Sequence, residues 1–190
     1  MSDGIFQKAM GFLQQPTKAF DKEKKTDLTS AFTYMAVLAI IVAVLSGIVA
    51  IIMAPVLGVF VVATMVAAYI GVLIGNIIGG LWLHLWAYIF GAKKGLNQTL
   101  KTVFYAGTPN YLLGWIPIIN WVFMLWGLFL DYVGLKTLHG MPGNRAALAV
   151  IIAIVIPVII AALAAVYFIS LFSSYGGFGG EMFPPGMVLP

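Results

Sequence analysis

The sequence predicts an all-α integral membrane protein with five transmembrane helices, a cytoplasmic N-terminus and a C-terminus outside. Of its 190 residues, 62% are apolar and 8% are charged, a composition that excludes a soluble globular domain. All ten lysines and arginines fall in three short polar segments, 1–30, 92–101 and 136–145, which alternate with long apolar blocks. Because positive residues remain on the cytoplasmic side, these segments predict the orientation as well as the spans.

Three regions follow from this pattern. Residues 1–30 are expected to form a cytoplasmic segment, 31–172 a five-helix transmembrane domain, and 173–190 a flexible tail rich in Gly and Pro. Within the first region, residues 4–14 place their apolar side chains near one helical face, which indicates a short amphipathic helix lying on the membrane surface. The charged run 21–25 is expected to be a solvated linker.

The first and last apolar blocks each predict one transmembrane helix, since about 20 helical residues cross the hydrocarbon core. Block 31–54 follows Thr29 and Ser30, either of which suits the N-cap position. Block 146–172 carries Pro157 in its middle, where a kink is expected.

Block 102–138 is too long for one span, and it predicts a tight hairpin of two short spans. Pro117 lies near its centre and cannot continue a helix, so the turn is expected there. Pro109 interrupts the first of the two spans and frees one backbone carbonyl. We expect Thr108 or Asn110 to satisfy that carbonyl.

Block 55–91 permits three interpretations. As a single helix it would be about 54 Å long, well beyond the bilayer. A split near Asn76 would create six spans and place the two lysines after the block on the outer face, which the charge rule disfavours. We therefore favour one span at 67–91, preceded by a re-entrant or interfacial stretch at 56–66.

Small residues recur at helical spacing in the first two predicted spans. Gly71, Gly75 and Gly79 are four residues apart in the second span, and Ala43 and Gly47 belong to a similar row in the first. Such rows allow membrane helices to approach closely. Packing between these two helices is the favoured interpretation; contact with a second copy and a glycine-lined substrate route are the alternatives.

Asp131 is the only carboxylate and His84 the only histidine inside an apolar block. Ionisable groups within a membrane are expensive, so both are candidate functional residues. One hypothesis is a hydrogen bond between them, joining the second and fourth spans; the alternative is that Asp131 extends towards the cytoplasmic interface and Lys101. Asn110 and Asn76 are further membrane-embedded polar candidates.

Enzyme chemistry finds little support in the sequence. It contains no HExxH zinc motif, no GxSxG serine motif and no Gly-rich phosphate loop. Cysteine is absent, which removes disulfides and thiolate metal ligands. We therefore expect no catalytic activity, cofactor or metal. The net charge of +4 is concentrated at the membrane borders, so no nucleic-acid partner is expected.

Several short motifs occur in a characteristic order along the chain. They include Pro16 to Phe20, Gly91 with Lys93 and Lys94, Tyr105 with Pro109, Gly134, His139 with Gly140, and Arg145. This order, over residues 12–172, resembles the Yip domain family of small membrane proteins. The resemblance implies five helices and a cytoplasmic N-terminus. For eukaryotic relatives it implies vesicle traffic, membrane shaping and recruitment of small GTPases.

The sequence departs from the eukaryotic relatives in its N-terminal region, which is short and lacks an Asp-Leu-Tyr-Gly-Pro element. It is more similar to compact prokaryotic relatives, so a prokaryotic cytoplasmic membrane is the expected location and a small GTPase the less expected partner. We expect a non-catalytic scaffold or partner-binding protein that contacts the lipid bilayer and other membrane proteins or a second copy. The alternative is a small transporter or channel with a polar route near Asp131 and His84.

Overall fold

A computed structural model describes residues 4–174, which form α-helices and short 3₁₀ segments without a β-strand. The helices are α1 (Ile5–Gln14), α2 (Pro16–Lys22), α3 (Leu28–Met53), α4 (Val61–Ile89), α5 (Leu96–Ala106), α6 (Thr108–Leu113), α7 (Asn120–His139) and α8 (Gly143–Ser174). The 3₁₀ segments are Glu23–Lys25 and Pro55–Phe60. Within the described residues, α3, α4, α7 and α8 are long and apolar enough to cross a membrane.

The N-terminal segment packs on the helical bundle more closely than its sequence predicts. The amphipathic helix expected at 4–14 is present as α1, but Ala9 and Phe12 are fully buried. The charged run 21–25 is exposed as predicted except at Glu23, which is buried, but it is not a linker, because these residues complete α2 and form a 3₁₀ turn. The apolar face of α1 thus covers part of the bundle core.

Helix α3 begins slightly earlier than predicted. Its N-cap is Asp27, whose carboxylate accepts a 3.1 Å hydrogen bond from the backbone N–H of Ser30. Thr29 and Ser30, the expected caps, instead lie in the first turn of the helix. The helix ends at Met53, two residues before a proline.

Helix α4 is continuous over 29 residues, so the chain does not split near Asn76. A separate 3₁₀ segment, Pro55–Phe60, covers only the first part of the re-entrant stretch predicted at 56–66. The helix begins at Val61, six residues earlier than the favoured start at 67. At 1.5 Å per residue it is about 44 Å long, so it must tilt or extend beyond the hydrocarbon core.

The predicted interruption at Pro109 separates α5 from α6. Pro109 has no N–H to donate to the carbonyl of Tyr105, and the hydroxyl of Thr108 donates to that carbonyl at 2.6 Å instead. This confirms the expected role of Thr108. The predicted turn near Pro117 also exists, because six residues separate the end of α6 at Leu113 from the start of α7 at Asn120.

Helix α5 lies at the centre of the bundle and packs against α3, α4 and α7. Seven of its eleven residues are buried, among them Thr99, Lys101, Thr102 and Tyr105. A helix this polar can be buried only if its side chains find hydrogen-bond partners. The neighbouring helices provide them.

The chain divides into two compact units between Ile152 and Ala153. The first unit contains α1 to α7 and the start of α8, where Ala146, Ala149 and Val150 are buried. In the second unit, α8 continues without interruption through Pro157. The flexible tail expected at 173–190 lies outside the described residues, apart from the last two residues of α8.

Candidate functional site

The buried carboxylate of Glu23 connects the N-terminal segment to the bundle. Glu23 is 7% exposed, and its Oε1 lies 3.0 Å from Nζ of Lys8. Its Oε2 accepts a 2.6 Å hydrogen bond from the hydroxyl of Tyr105 in α5. We call Lys8, Glu23 and Tyr105 the Glu23 cluster. Each carboxylate oxygen therefore has a partner, and α1, the 3₁₀ turn and α5 meet at one point.

Opposing effects act on the pKa of Glu23. Burial of the carboxyl group raises the pKa, whereas hydrogen bonds from Tyr105, Lys8 and Thr26 and the positive charge of Lys8 lower it. The lowering effects prevail, so the pKa lies below the usual value. The carboxylate is consequently ionised at neutral pH and can pair with Lys8.

Aromatic rings surround the Glu23 cluster. Phe12 stacks on Tyr105 with ring centroids 4.8 Å apart and meets Phe20 edge-on at 4.9 Å. Nζ of Lys8 lies 5.8 Å from the ring centroid of Tyr34 and 5.7 Å from that of Tyr105. The cation therefore gains ring contacts in addition to its ion pair. These contacts join α1 and α2 to the centre of the bundle.

A second group of polar contacts extends from the same helices. The hydroxyl of Tyr34 is 2.9 Å from Oγ1 of Thr108. Because Thr108 donates its own proton to the carbonyl of Tyr105, Tyr34 is the donor to Thr108. Lys101 is 2% exposed, and its Nζ donates to the carbonyls of Lys24 and Thr26 at 3.2 and 2.6 Å. Helix α5 thereby holds the chain that leads into α3.

Two histidines share one threonine at the opposite face of α5. Oγ1 of Thr99 lies 2.8 Å from Nδ1 of His84 and 2.9 Å from Nε2 of His139. Since a hydroxyl carries one proton, Thr99 donates to one ring and accepts an N–H from the other. His84, Thr99 and His139 form what we call the histidine bridge. It connects α4, α5 and α7.

The partners that the sequence suggested for Asp131 are engaged elsewhere. His84 bonds Thr99, and Lys101 bonds two backbone carbonyls, so neither contact predicted for Asp131 forms. Oδ1 of Asp131 is buried without a hydrogen-bond partner among the described residues. Counted from the cytoplasmic ends of their predicted spans, Asp131 and His84 lie at similar depths, but depth alone does not determine which helix faces are in contact.

The two asparagines proposed as membrane-embedded candidates lie in one region of the first unit. Asn76 donates from Nδ2 to the carbonyl of Val72 at 2.7 Å and accepts a 2.8 Å hydrogen bond from the Tyr111 hydroxyl. Asn76, Tyr111 and Asn110 line a cavity of about 410 Å³ between α3, α4, α6 and α7. Neither Asp131 nor His84 lines this cavity.

The small-residue rows occupy different environments. In α3, Ala43 and Gly47 are buried, and a Cβ on Gly47 would collide with the side chain of Met65 in α4. In α4, a Cβ on Gly71, Gly75 or Gly79 would have no neighbour within 4 Å. The row of α3 therefore permits the α3–α4 contact, whereas the row of α4 lies outside it.

The remaining motif residues lie at contacts between helices or at the ends of helices. A Cβ on Gly134 would lie 2.5 Å from Cγ2 of Thr102, so this glycine allows α7 to approach α5 closely. Gly140 adopts φ 71° and ψ 30°, a left-handed conformation that ends α7. Arg145 lies beside Gly91, where a Cβ would be 3.2 Å from Nη1.

The sequence alone did not identify Glu23 or Thr99 as members of these two groups of contacts. Glu23 is in a strongly charged run, and such runs are usually solvated. A buried partner becomes apparent only when Tyr105 is known to lie beside it. Thr99 is one of three threonines or glutamines within five residues, so nothing in the sequence distinguishes it from Gln98 or Thr102.

The described residues include no group of three or more His, Cys, Asp or Glu arranged to hold a metal ion. The polar side chains of the Glu23 cluster and the histidine bridge bond mainly to one another across helix pairs. This arrangement orients and joins helices.

These features define a polytopic helical membrane protein with an N-terminal segment docked on its bundle. The model of the Yip1 domain family matches residues 10–166, and the chain belongs to that family. The match extends from α1 into α8 and confirms the resemblance seen in the motifs. No curated protein and no solved structure matches the chain.

Proposed function

We propose that this Yip1 domain protein is a non-catalytic membrane scaffold that binds other membrane proteins or a second copy of itself. The observation that supports this proposal most strongly is the use of its buried polar side chains. Tyr105, Glu23 and Thr99 each bond to another helix or to the N-terminal segment. Groups used in this way give a bundle a defined shape, and a defined shape is what a scaffold requires.

The surface offered to a partner includes the glycine row of α4. A Cβ on Gly71, Gly75 or Gly79 would meet nothing within 4 Å, although glycines are costly in a helix interior. Close contact with another membrane helix would compensate for that cost. We infer that this row receives a helix from a partner protein or from a second copy.

The scaffold proposal includes a five-span topology. In it, α5 and α6 together form the third span, the N-terminus is cytoplasmic and the C-terminus is outside. The absence of cysteine makes a direct test simple, because single cysteines can be introduced without any background labelling. An impermeant maleimide added to intact cells should label Val56→Cys and Ile119→Cys but leave Lys93→Cys and Asn144→Cys unlabelled. Labelling of Lys93→Cys would contradict the topology.

Partner binding can be tested by gentle extraction from native membranes, affinity isolation and mass spectrometry. We expect a protein recovered in stoichiometric amount, or a stable homo-oligomer. Gly75→Leu with Gly79→Leu should abolish the association, whereas Ala63→Leu, on another exposed face of α4, should preserve it. A small GTPase among the partners would extend the proposal to membrane traffic. Recovery of a monomer alone would refute the scaffold.

The cavity beside Asn76 favours a second candidate, a small transporter or channel. Asn76 and Asn110 bring amide groups to a space of about 410 Å³ between the helices. If the cavity belongs to a polar route, liposomes containing the protein should conduct a small ion or solute. Asn110→Leu should then reduce the flux, and Asp131→Asn would show whether the buried carboxylate contributes. Impermeable liposomes would exclude this candidate.

We propose a prokaryotic cytoplasmic membrane as the location for either function.

A further inference from the structure

The cavity of about 410 Å³ beside Asn76 reaches the end of the bundle that carries the α6–α7 turn. Its lining there consists of Gly114, Asn120 and Trp121, which border that turn. Further inward it extends as far as Gly107, at the end of α5, and Asn76, in the middle of α4. The cavity therefore runs from one end of the bundle to about its middle.

The inner end of the cavity is closed by buried residues. Ala106 precedes Gly107 in the chain and is 2% exposed. Gly80, one turn inward from Asn76 on α4, is also buried, as is Leu130 on α7. The cavity consequently has one open end, a form that suits the binding of a solute.

Two of the three asparagines in the cavity have side-chain amides without a partner among the described residues. Asn76 is held by its bonds within the protein, whereas the amides of Asn110 and Asn120 form no such bond. Gly127 leaves room for the Asn110 amide, because a Cβ there would lie 3.1 Å from Nδ2. An amide inside a membrane protein is costly without a partner, so Asn110 requires water or a solute in the cavity.

The chemistry of the lining favours an uncharged ligand. None of the described residues that line the cavity is charged, so an ion would lose hydration without meeting a counter-charge. A metal cation would also need several oxygen ligands, and Oδ1 of Asn76 already accepts the proton of Tyr111. Each free amide both donates and accepts hydrogen bonds, as a hydroxyl group does. A solute with several hydroxyl groups matches this lining.

Trp121 adds an aromatic wall at the mouth of the cavity. Its side chain is 65% exposed and lines the cavity together with the apolar side chains of Val42 and Met124. The C–H groups of a sugar ring can pack against an indole face while its hydroxyl groups reach the amides. The volume lies within the range of about 300–1,000 Å³ that is typical of small-molecule sites.

We propose that this cavity binds a small uncharged polyhydroxylated molecule, a sugar ring in the simplest case. Trp121 packs against the ring, and the amides of Asn110 and Asn120 bond to its hydroxyl groups. Two sources present this chemistry, a free sugar in solution and the headgroup of a glycolipid in the membrane. The inference rests on the second candidate function, since it uses the same cavity, but it requires no passage across the membrane.

The test uses the full-length protein, purified in a detergent without a sugar headgroup and placed in phosphatidylcholine nanodiscs. Methyl glucoside is titrated and followed by saturation-transfer-difference NMR, where we expect a saturable signal from its ring protons. Gluconate carries hydroxyl groups and a negative charge, so it should give no saturable signal. Both faces of a nanodisc are open to solvent, so the result does not depend on the orientation of the protein.

A second measurement distinguishes the two sources of the sugar. Glucosyl diacylglycerol and phosphatidylcholine are titrated separately into the protein in detergent and followed by native mass spectrometry. Binding of methyl glucoside without a preference for the glycolipid assigns the site to a free sugar. Preferential binding of the glycolipid assigns it to a headgroup.

Two variants, each with a matched control, locate the ligand in the cavity. Asn110→Leu should weaken binding by about two- to tenfold, the factor for one lost hydrogen bond, whereas Asn97→Leu, at an exposed position outside the cavity, should not. Trp121→Leu should weaken binding as well, whereas Trp126→Leu, on the same helix but outside the cavity, should not. Because Trp121 is largely exposed, its replacement tests the site even if Asn110→Leu destabilises the protein.

The proposal would be overturned if neither methyl glucoside nor the glycolipid bound, or if gluconate bound as tightly as methyl glucoside. Equal losses from Trp121→Leu and Trp126→Leu would also overturn it, since the ligand would then lie elsewhere. Binding without flux through liposomes would refute transport and retain this inference. Flux without binding of either sugar would refute this inference alone.

Discussion

The hydroxyl of Tyr105 donates a 2.6 Å hydrogen bond to Oε2 of Glu23, and both residues are buried. Glu23 follows the N-terminal helices, whereas Tyr105 is in the central helix of the bundle. The bond therefore connects the segment that precedes the first long helix to the part of the molecule with the most buried polar groups.

Replacing Tyr105 with Phe is expected to lower the free energy of unfolding by about 1–3 kcal/mol. The ring contacts remain, but the buried Oε2 of Glu23 loses its donor. Unfolding of the purified protein in mixed micelles would measure the change. Tyr167→Phe is the matched control, because Tyr167 is 67% exposed. Equal effects from the two variants would contradict a specific role for the Glu23–Tyr105 bond.

The contribution of Glu23 to stability should depend on pH. Because the pKa of Glu23 in the folded protein lies below its usual value of 4.5, the ionised side chain stabilises the fold above about pH 4.5. This contribution is lost as the pH falls through the lower, folded-state pKa. Thermal unfolding followed by circular dichroism between pH 7 and 3 should therefore show a weaker pH dependence for Glu23→Gln. Asp21→Asn, at an exposed pair, should behave like the wild type.

Gly134→Ala is expected to lower the free energy of unfolding by about 1–3 kcal/mol through overpacking. The new Cβ would lie 2.5 Å from Cγ2 of Thr102 and 3.0 Å from the ring of Phe20. Gly79→Ala provides the contrast, since it meets no atom within 4 Å and improves helix propensity by up to about 1 kcal/mol. The same unfolding assay on the monomer distinguishes them. A destabilised Gly79→Ala monomer would show that α4 packs differently.

Thr99→Val is expected to lower the free energy of unfolding by about 1–3 kcal/mol, because both imidazoles lose the hydroxyl between them. Thr64→Val serves as the control, since Thr64 bonds only the carbonyl of Val61 within its own helix. Chemical shifts of the His84 and His139 side chains should change in the first variant and not in the second. Unchanged shifts in both would show that the histidine bridge does not form.

Lys101→Met should loosen the turn that precedes α3, because the ammonium group is the donor to the carbonyls of Lys24 and Thr26. Hydrogen bonds to charged groups contribute about 1.5–3 kcal/mol, so a loss of this size is expected. Faster amide exchange at residues 23–30 would reveal the loosening. Lys136→Met removes the same charge from an exposed position and should leave the exchange rates unchanged.

Some individual contacts could be predicted because their cause is local. Pro109 cannot donate to the carbonyl four residues earlier, and Thr108 is close enough along the helix to replace that donor. The end of α3 near Pro55 and the turn near Pro117 follow from the same property of proline. In each case, residues within a few positions of one another contain all the required information.

Other contacts could not be predicted because their partners are far apart in sequence. Glu23 and Tyr105 are 82 positions apart, and the charged run around Glu23 indicates solvent exposure. Similar depths in the membrane suggest a contact between His84 and Asp131, yet His84 bonds Thr99, since the rotation of each helix determines which side chains face each other. Helical spacing likewise identified the glycine row of α4 but not the direction that it faces.

The amino-acid sequence by itself determined that the chain is helical and embedded in a membrane, and its motifs indicated the family. Hydropathy, charge and proline positions act locally, so they can be read in order along the chain. Only the tertiary structure decided that the N-terminal segment docks on the bundle, that Thr99 connects two histidines, and that the glycines of α4 remain uncovered. Those outcomes depend on how rigid helices pack and rotate against one another, which is determined by the contacts of the whole bundle together.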